Sequence, residues 1–169
     1  MARPDRNRCR GRLGEVMVLI AAHPELETLM ITARWHRGSE PGDELAAALR
    51  QTASSLASVH RKLVVIADLP VPEGDVPWRL ALDREAGRAR APFVHRQAGG
   101  PFYRQVAMLR GEGKIRYIPL APGLCGSEGC RASLAGRSLY TDDNHISAFG
   151  ATRFLAPYLD RVGLFDVHR

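Results

Sequence analysis

Long apolar runs are missing from these 169 residues: none reaches the 18 or more that a membrane-spanning helix needs. A secretory leader is missing as well, because the apolar stretch Val16 to Ala22 behind the basic start is too short and leads into Pro24 rather than a cleavage site. Cysteine is scarce, with only Cys9, Cys125 and Cys130. A lone C-x4-C without a second pair or a nearby histidine argues against structural zinc, and no cofactor is called for. Aromatic residues make up 7% and do not interleave the arginines, so the stacking platform of a single-strand binder is absent, as are helix-turn-helix and zinc-finger patterns. The net charge of +6 is therefore assigned no nucleic-acid partner. Repeats and low-complexity segments are lacking too.

What is present is one ordinary domain, expected over 1–169, with 45% hydrophobic and 25% charged residues. Leu13 to Ala22 has the length and composition of a helix packed on a sheet. Thr28 to Ala33 and Lys62 to Leu69 are short β-branched apolar runs of the buried parallel type. Between them Asp43 is expected to cap a helix to about Val59, with Leu45, Leu49, Ala53 and Leu56 on one face. Pro70 to Gly100 reads as a long loop with one helix from Trp78 to Arg90. Phe102 to Arg110 reads as a helix and Lys114 to Pro119 as a third strand. Pro157 is expected to kink or end the last helix, since proline removes a bond from a helix interior. Strands alternating with helices at this spacing give an α/β fold, a three-layer sandwich whose parallel, doubly wound sheet is covered on both faces. Chemistry in such folds gathers beyond the carboxyl ends of the strands, where Arg34, Trp35 and Asp68 to Pro72 fall.

The candidate chemistry lies in Leu139 to Ala151. Asp142 stands three residues before His145, and Ser147 is placed to N-cap the helix that follows. A carboxylate at that spacing can hold the Nδ1 proton of the imidazole and leave Nε2 free to take a proton from a nucleophile. The same residues also suit a solvated turn in which Asp142, Asp143 and Asn144 make Asx-type bonds. Cys125 and Cys130 enclose Gly-Ser-Glu-Gly, a tetrapeptide that lets the sulfurs meet; a disulfide is favoured, which implies an oxidising compartment. Cys9 is left over. The remaining histidines stand in no ligand spacing.

The flanks of this block carry a resemblance. Leu124-Cys125, Cys130, Leu139-Tyr140, the Asp-Asp-Asn-His run and Ser-Ala-Phe-Gly-Ala resemble the C-terminal end of the SGNH hydrolase-like domain fused to membrane acyltransferases, proteins that O-acylate bacterial surface glycans. Ala-Ala-His-Pro-Glu-Leu-Glu-Thr with Thr-Ala-Arg-Trp, and Val64 to Pro77, look like earlier parts of the same domain. The resemblance implies a flavodoxin-like SGNH sheet, a Ser-His-Asp triad whose base and orienter fall on His145 and Asp142, and a substrate rim at Arg34 and Trp35. It also implies a glycan acceptor, an acyl donor, a membrane acyltransferase domain as partner, and the periplasmic side of the inner membrane. One block of the pattern is lacking. No Gly-Asp-Ser occurs, since Gly42-Asp43 runs into Glu44 and Gly74-Asp75 into Val76. The expectation is an N-terminally truncated domain, inactive by itself for want of a nucleophile. Its Thr28 to Ala33 strand would be left as an apolar edge prone to self-association; a scaffold that has lost catalysis is the alternative.

Overall fold

Three short runs rich in β-branched and apolar residues form the sheet of the computed structural model, which describes residues 15–33, 35, 42–88, 93 and 101–164. They are β1 (Thr28–Thr32), β2 (Lys62–Ile66) and β3 (Arg116–Ile118), parallel and in the order β1-β2-β3. Leu29 lies opposite Leu63 and Val65 opposite Tyr117. Because successive side chains alternate, β2 sends Leu63 and Val65 into one apolar cluster and Val64 and Ile66 into the other. This central strand is apolar on both faces, as a covered parallel sheet requires.

The first face is covered by helical residues 15–22 (α1), by α2 (Gly42–Ser58) and by α4 (Pro101–Gly111), which contribute Ile20, Leu49, Ala53, Leu56, Phe102, Val106 and Leu109. The spacing of Leu49, Ala53 and Leu56 is the i, i+4, i+7 stripe of an amphipathic helix, and each is under 5% exposed. Burying one such leucine contributes about 1.5–3 kcal/mol. The side chain of Asp43, expected to cap α2, lies outside the described residues. Two residues past the end of α2 at Ser58, His60 has a φ of 57°, the left-handed turn that follows a helix C-terminus.

The second face is covered by α3 (Val76–Glu85), α5 (Ala121–Leu124) and the last helix, through Val76, Leu124, Leu155 and Tyr158. Helices on both faces of a parallel sheet make the chain an α/β three-layer sandwich. Here α3 starts two residues before Trp78: Asp75 accepts from the Trp78 N–H at 2.7 Å, and Pro77 occupies the first turn, where no amide is needed. Pro157 does not end the last helix. That helix runs through α6 (Ala148–Gly150), a π turn (Ala151–Leu155) and α7 (Ala156–Arg161), and the Ala156 N–H reaches back five residues to the Ala151 carbonyl. The widened register immediately precedes the proline and accommodates its missing donor. Among the described residues no helix is long and apolar enough to cross a membrane.

Candidate active site

After β3 the chain makes two tight ladders before it reaches the Asp-His block. β4 (Cys125–Gly126) pairs with β5 (Gly129–Cys130), and the disulfide joins Cys125 to Cys130, which are directly opposite. β6 (Ser133–Leu134) pairs with β7 (Arg137–Ser138) around Ala135 and Gly136, both with positive φ, the backbone of a two-residue type I′ hairpin. Phe93 exchanges both backbone bonds with Cys130 (2.9 and 2.8 Å) and sets its ring edge-on to Tyr140. Leu139 and Tyr140 then enter the core, 0% and 1% exposed.

From Tyr140 the chain turns back on itself. Tyr140 bridges Ile146, and the Thr141 N–H donates to the His145 carbonyl at 2.8 Å, closing a small loop. Asp142 organises its interior. Its Oδ1 accepts the Asn144 N–H at 2.8 Å and the His145 N–H at 2.7 Å, while Oδ2 lies 2.7 Å from His145 Nδ1. The Asx turn and the acid-imidazole contact, alternatives at the level of sequence, coexist because each uses a different oxygen.

The bonds from the Asn144 and His145 amides, then from the imidazole, pull the Asp142 carboxyl down to about 2. It is ionised at any ordinary pH and can only accept, so Nδ1 must carry the proton of that bond. Nε2 is then the unprotonated nitrogen of the neutral ring. Among the described residues Nε2 has no hydrogen-bond partner, and the His145 side chain is 74% exposed. The pair can therefore take a proton from a group that approaches from solvent.

The loop is anchored on both flanks. Behind it, the Ser147 N–H donates to Leu139 O at 2.8 Å, Ser147 Oγ donates to Ser138 O, and the same Oγ accepts the Gly150 N–H at 3.1 Å as the helix N-cap. Gly150 fits because it has no side chain: a Cβ there would lie 2.4 Å from Leu139 O and 2.8 Å from Ile146. In front, the buried Tyr140 hydroxyl donates to Pro70 O at 2.7 Å, and the Val76 N–H donates to Asp142 O at 3.3 Å. Pro70 follows the carboxyl end of β2, so these bonds fix the block to that rim of the sheet.

Arg34 lies outside the described residues. Trp35 has its polar atoms committed inward: its backbone N–H donates to Asp68 Oδ1 at 2.9 Å, its indole N–H to Ile66 O at 2.6 Å, and its ring stacks on Phe102. Asp68 also accepts from the Tyr103 hydroxyl at 3.2 Å. Sequence reasoning missed Tyr140, Val76 and Gly150 as supports of the Asp-His loop. The small residue inside Ser-Ala-Phe-Gly-Ala was the visible signal for Gly150; nothing local marks the tyrosine. Among the described residues no three His, Cys, Asp or Glu side chains gather as metal ligands.

With this geometry in hand, the relatives can be compared. The family model for the SGNH domain (fused to AT3 domains) matches residues 1–160. The fold is similar to that of the periplasmic domain of a lipopolysaccharide acetyltransferase from Salmonella ser. Paratyphi A, with a TM-score of 0.61 and 13% identity over 85% of this chain. The chain spans 60% of that domain's length, and at this identity the likeness is one of fold. No curated protein matches the chain.

Proposed function

The chain belongs to the family of SGNH domains fused to AT3 domains, and from that premise we propose that it supplies the base-and-orienter half of an O-acyltransferase or esterase acting on bacterial cell-surface glycans. The observation that carries the reading is the 2.7 Å contact from His145 Nδ1 to Asp142, with Nε2 left open on the sheet rim. In this reading a serine from a segment outside this chain attacks the acyl carbon. His145 Nε2 takes the hydroxyl proton, and Asp142 stabilises the imidazolium that forms. The ring then returns the proton to the leaving group, and a second cycle hands the acyl group to a sugar hydroxyl, or to water in the esterase reaction. Arg34, next to the end of β1, is the proposed donor to the oxyanion. Trp35, the next residue, is itself fixed by its bonds to Asp68 and Ile66.

The partner domain is the membrane acyltransferase that delivers the acyl group, and the place is the periplasmic side of the inner membrane, where the disulfide would persist. The test joins this chain to the polypeptide encoded immediately upstream and measures turnover of a simple acetyl ester. Activity is expected, and His145→Ala should lower it by on the order of 10³-fold or more. Full rate in that variant would remove His145 as the base. No turnover in the joined wild type would favour the second reading, a non-catalytic SGNH scaffold, which the absence of Gly-Asp-Ser from the sequence supports.

A further inference from the structure

A cavity of about 500 Å³ runs across the amino ends of the three strands, at the opposite end of β2 from Pro70 and the Asp-His loop. Its charged lining is all cationic: Arg61 and Lys62 where β2 starts, Lys114 and Arg116 where β3 starts, with no aspartate or glutamate among the described lining residues. The sheet register gathers these side chains. Thr28 lies opposite Lys62, and Val64 lies opposite Arg116. Lys62 and Val64 are two apart on one strand, so Thr28, Lys62 and Arg116 project from the same face.

Two of the four cations are already committed. Lys114 pairs with Glu112 at 2.7 Å. Arg116 donates to the Val162 and Gly163 carbonyls that follow α7, which takes up the negative end of that helix but gives the guanidinium no carboxylate. Arg61 and Lys62 have no salt bridge among the described residues. Glu25 is held by its own backbone amide and by His23, with Arg61 the last of the charges acting on it. Arg61 is partly buried, and its Nε is sealed from solvent with no acceptor. A buried donor left unmatched is a liability, and a cleft lined by one sign of charge concentrates potential of that sign.

We infer that this cavity binds a phosphate ester, with the phosphate against Arg61, Lys62 and the Thr28 hydroxyl and a short apolar body against Met30, Val64 and Leu164. An oxyanion there supplies the countercharge and acceptors that the described residues do not give Arg61. The three free oxygens of a phosphate match a guanidinium, an ammonium and a hydroxyl, whereas a carboxylate has two. The volume lies within the roughly 300–1,000 Å³ of small-molecule pockets, more than bare phosphate fills, and the apolar lining offers the remainder a dry wall. A phospholipid headgroup and a soluble phosphorylated molecule share this chemistry. The site stands apart from the Asp-His pair and does not depend on the proposed function.

The test is calorimetry at about 50 mM salt with hexyl phosphate as the probe. One site is expected, with a Kd of about 1 mM or tighter, and inorganic phosphate and hexanoate should each bind at least about fivefold more weakly. Arg61→Gln should weaken binding about tenfold and Lys62→Gln about threefold, while Arg61→Lys restores part of the loss. Arg104→Gln removes the same charge from an exposed position on α4 and should stay within about twofold of wild type. Should Arg61→Gln melt early, Lys62→Gln, at an exposed side chain, carries the comparison. The inference is overturned if hexyl phosphate does not bind, or if Arg104→Gln weakens it as much as the cavity variants do. Equal affinity for inorganic phosphate or for hexanoate overturns it too, since one would mean an open basic patch and the other a merely apolar pocket. Co-sedimentation with phosphatidylglycerol vesicles that hexyl phosphate displaces supports the inference with a membrane lipid as the source. Binding of hexyl phosphate without the vesicles supports it with a soluble ester.

Discussion

The two flanks of the sheet are built to different standards. On the side of the Asp-His loop, Leu139 and Tyr140 are sealed in the core, and the amides of Thr141, Asn144, His145 and Ser147 all have partners. β3, on that flank, is tied to the end of α7 by the Arg116 guanidinium, which donates to the carbonyls of Val162 and Gly163. On the opposite flank, β1 has no described strand on its outer edge, Met30 is 39% exposed, and α1 shows Val18 and Leu19 to solvent. A cavity of about 500 Å³ runs across the starts of the three strands, lined by Thr28 and Met30, Lys62 and Val64, and Arg116 and Leu164 among others. Among the described residues β1 and β3 are both edge strands, and it is the β1 flank that shows more apolar surface to solvent. The base and its orienter therefore depend on local bonds that should survive perturbation of β1, and the two flanks should respond separately to substitution.

The strongest way to break the flank that carries the loop is Gly150→Ala. The new methyl would sit 2.4 Å from a backbone carbonyl that itself receives the Ser147 amide, so neither side can retreat without loosening the loop. A loss of about 3 kcal/mol is expected, read by thermal melting, together with loss of the His145 Nδ1–H resonance. A near-wild-type melting curve would mean that the close approach is absent in solution.

Tyr140→Phe probes the same flank more gently. It removes the hydroxyl that bonds Pro70 O and leaves a buried carbonyl unsatisfied, at a cost of about 1–2 kcal/mol. Denaturant melts would check the loss. The ring itself stays packed on Phe93, so the fold should persist. Burial also raises the Tyr140 hydroxyl pKa, which keeps it a donor.

Much of this flank was legible in sequence, for reasons that can be traced. Asp142, His145 and Ser147 lie within six residues, so their bonds depend on local spacing that a reader can see. The β2 run and the Leu49-Ala53-Leu56 stripe were visible because burial imposes a period. The supports were not. Tyr140 reaches Pro70 across 70 residues through one hydroxyl, and Phe93 joins Cys130 as a single bridge in a proline-rich stretch without period. The ladders at 125–138 have two-residue strands, too short for alternation to register. The start of α3 was misplaced although Asp75-Val76-Pro77 spelled a cap followed by a first-turn proline, and the π turn that accommodates Pro157 has no sequence signature of its own.

Acid offers a smaller perturbation of the flank that carries the loop. Asp142 has a folded-state pKa near 2, below the roughly 3.9 of an unfolded aspartate. The unfolded chain therefore binds the proton more readily, and the stability this group contributes is fully present above about pH 4 and is lost as the pH falls through about 2. The pair is open to solvent, so the effect should be modest. Melts from pH 5 to pH 2 should show a decline that Asp142→Asn lacks over the same window. An identical decline in both proteins would mean that the acid limb arises elsewhere.

The smallest change in stability is expected on the β1 flank, where the association state is the sharper readout. If two copies meet edge to edge through β1 about a two-fold axis, the middle residue of Thr28–Thr32 lies opposite itself, and that residue is Met30. Met30→Glu would then set two carboxylates face to face across the new ladder, which disfavours the pair. Within one copy the change is mild, because Met30 is partly exposed and Arg61 and Lys62 line the same cavity; a shift within about 0.5 kcal/mol is expected. Sedimentation velocity over a range of concentrations should show wild type growing heavier and the variant staying a monomer. A wild type that remains monomeric at the highest concentration would show that β1 is not a pairing edge, and the contrast between the two flanks would then be one of packing alone.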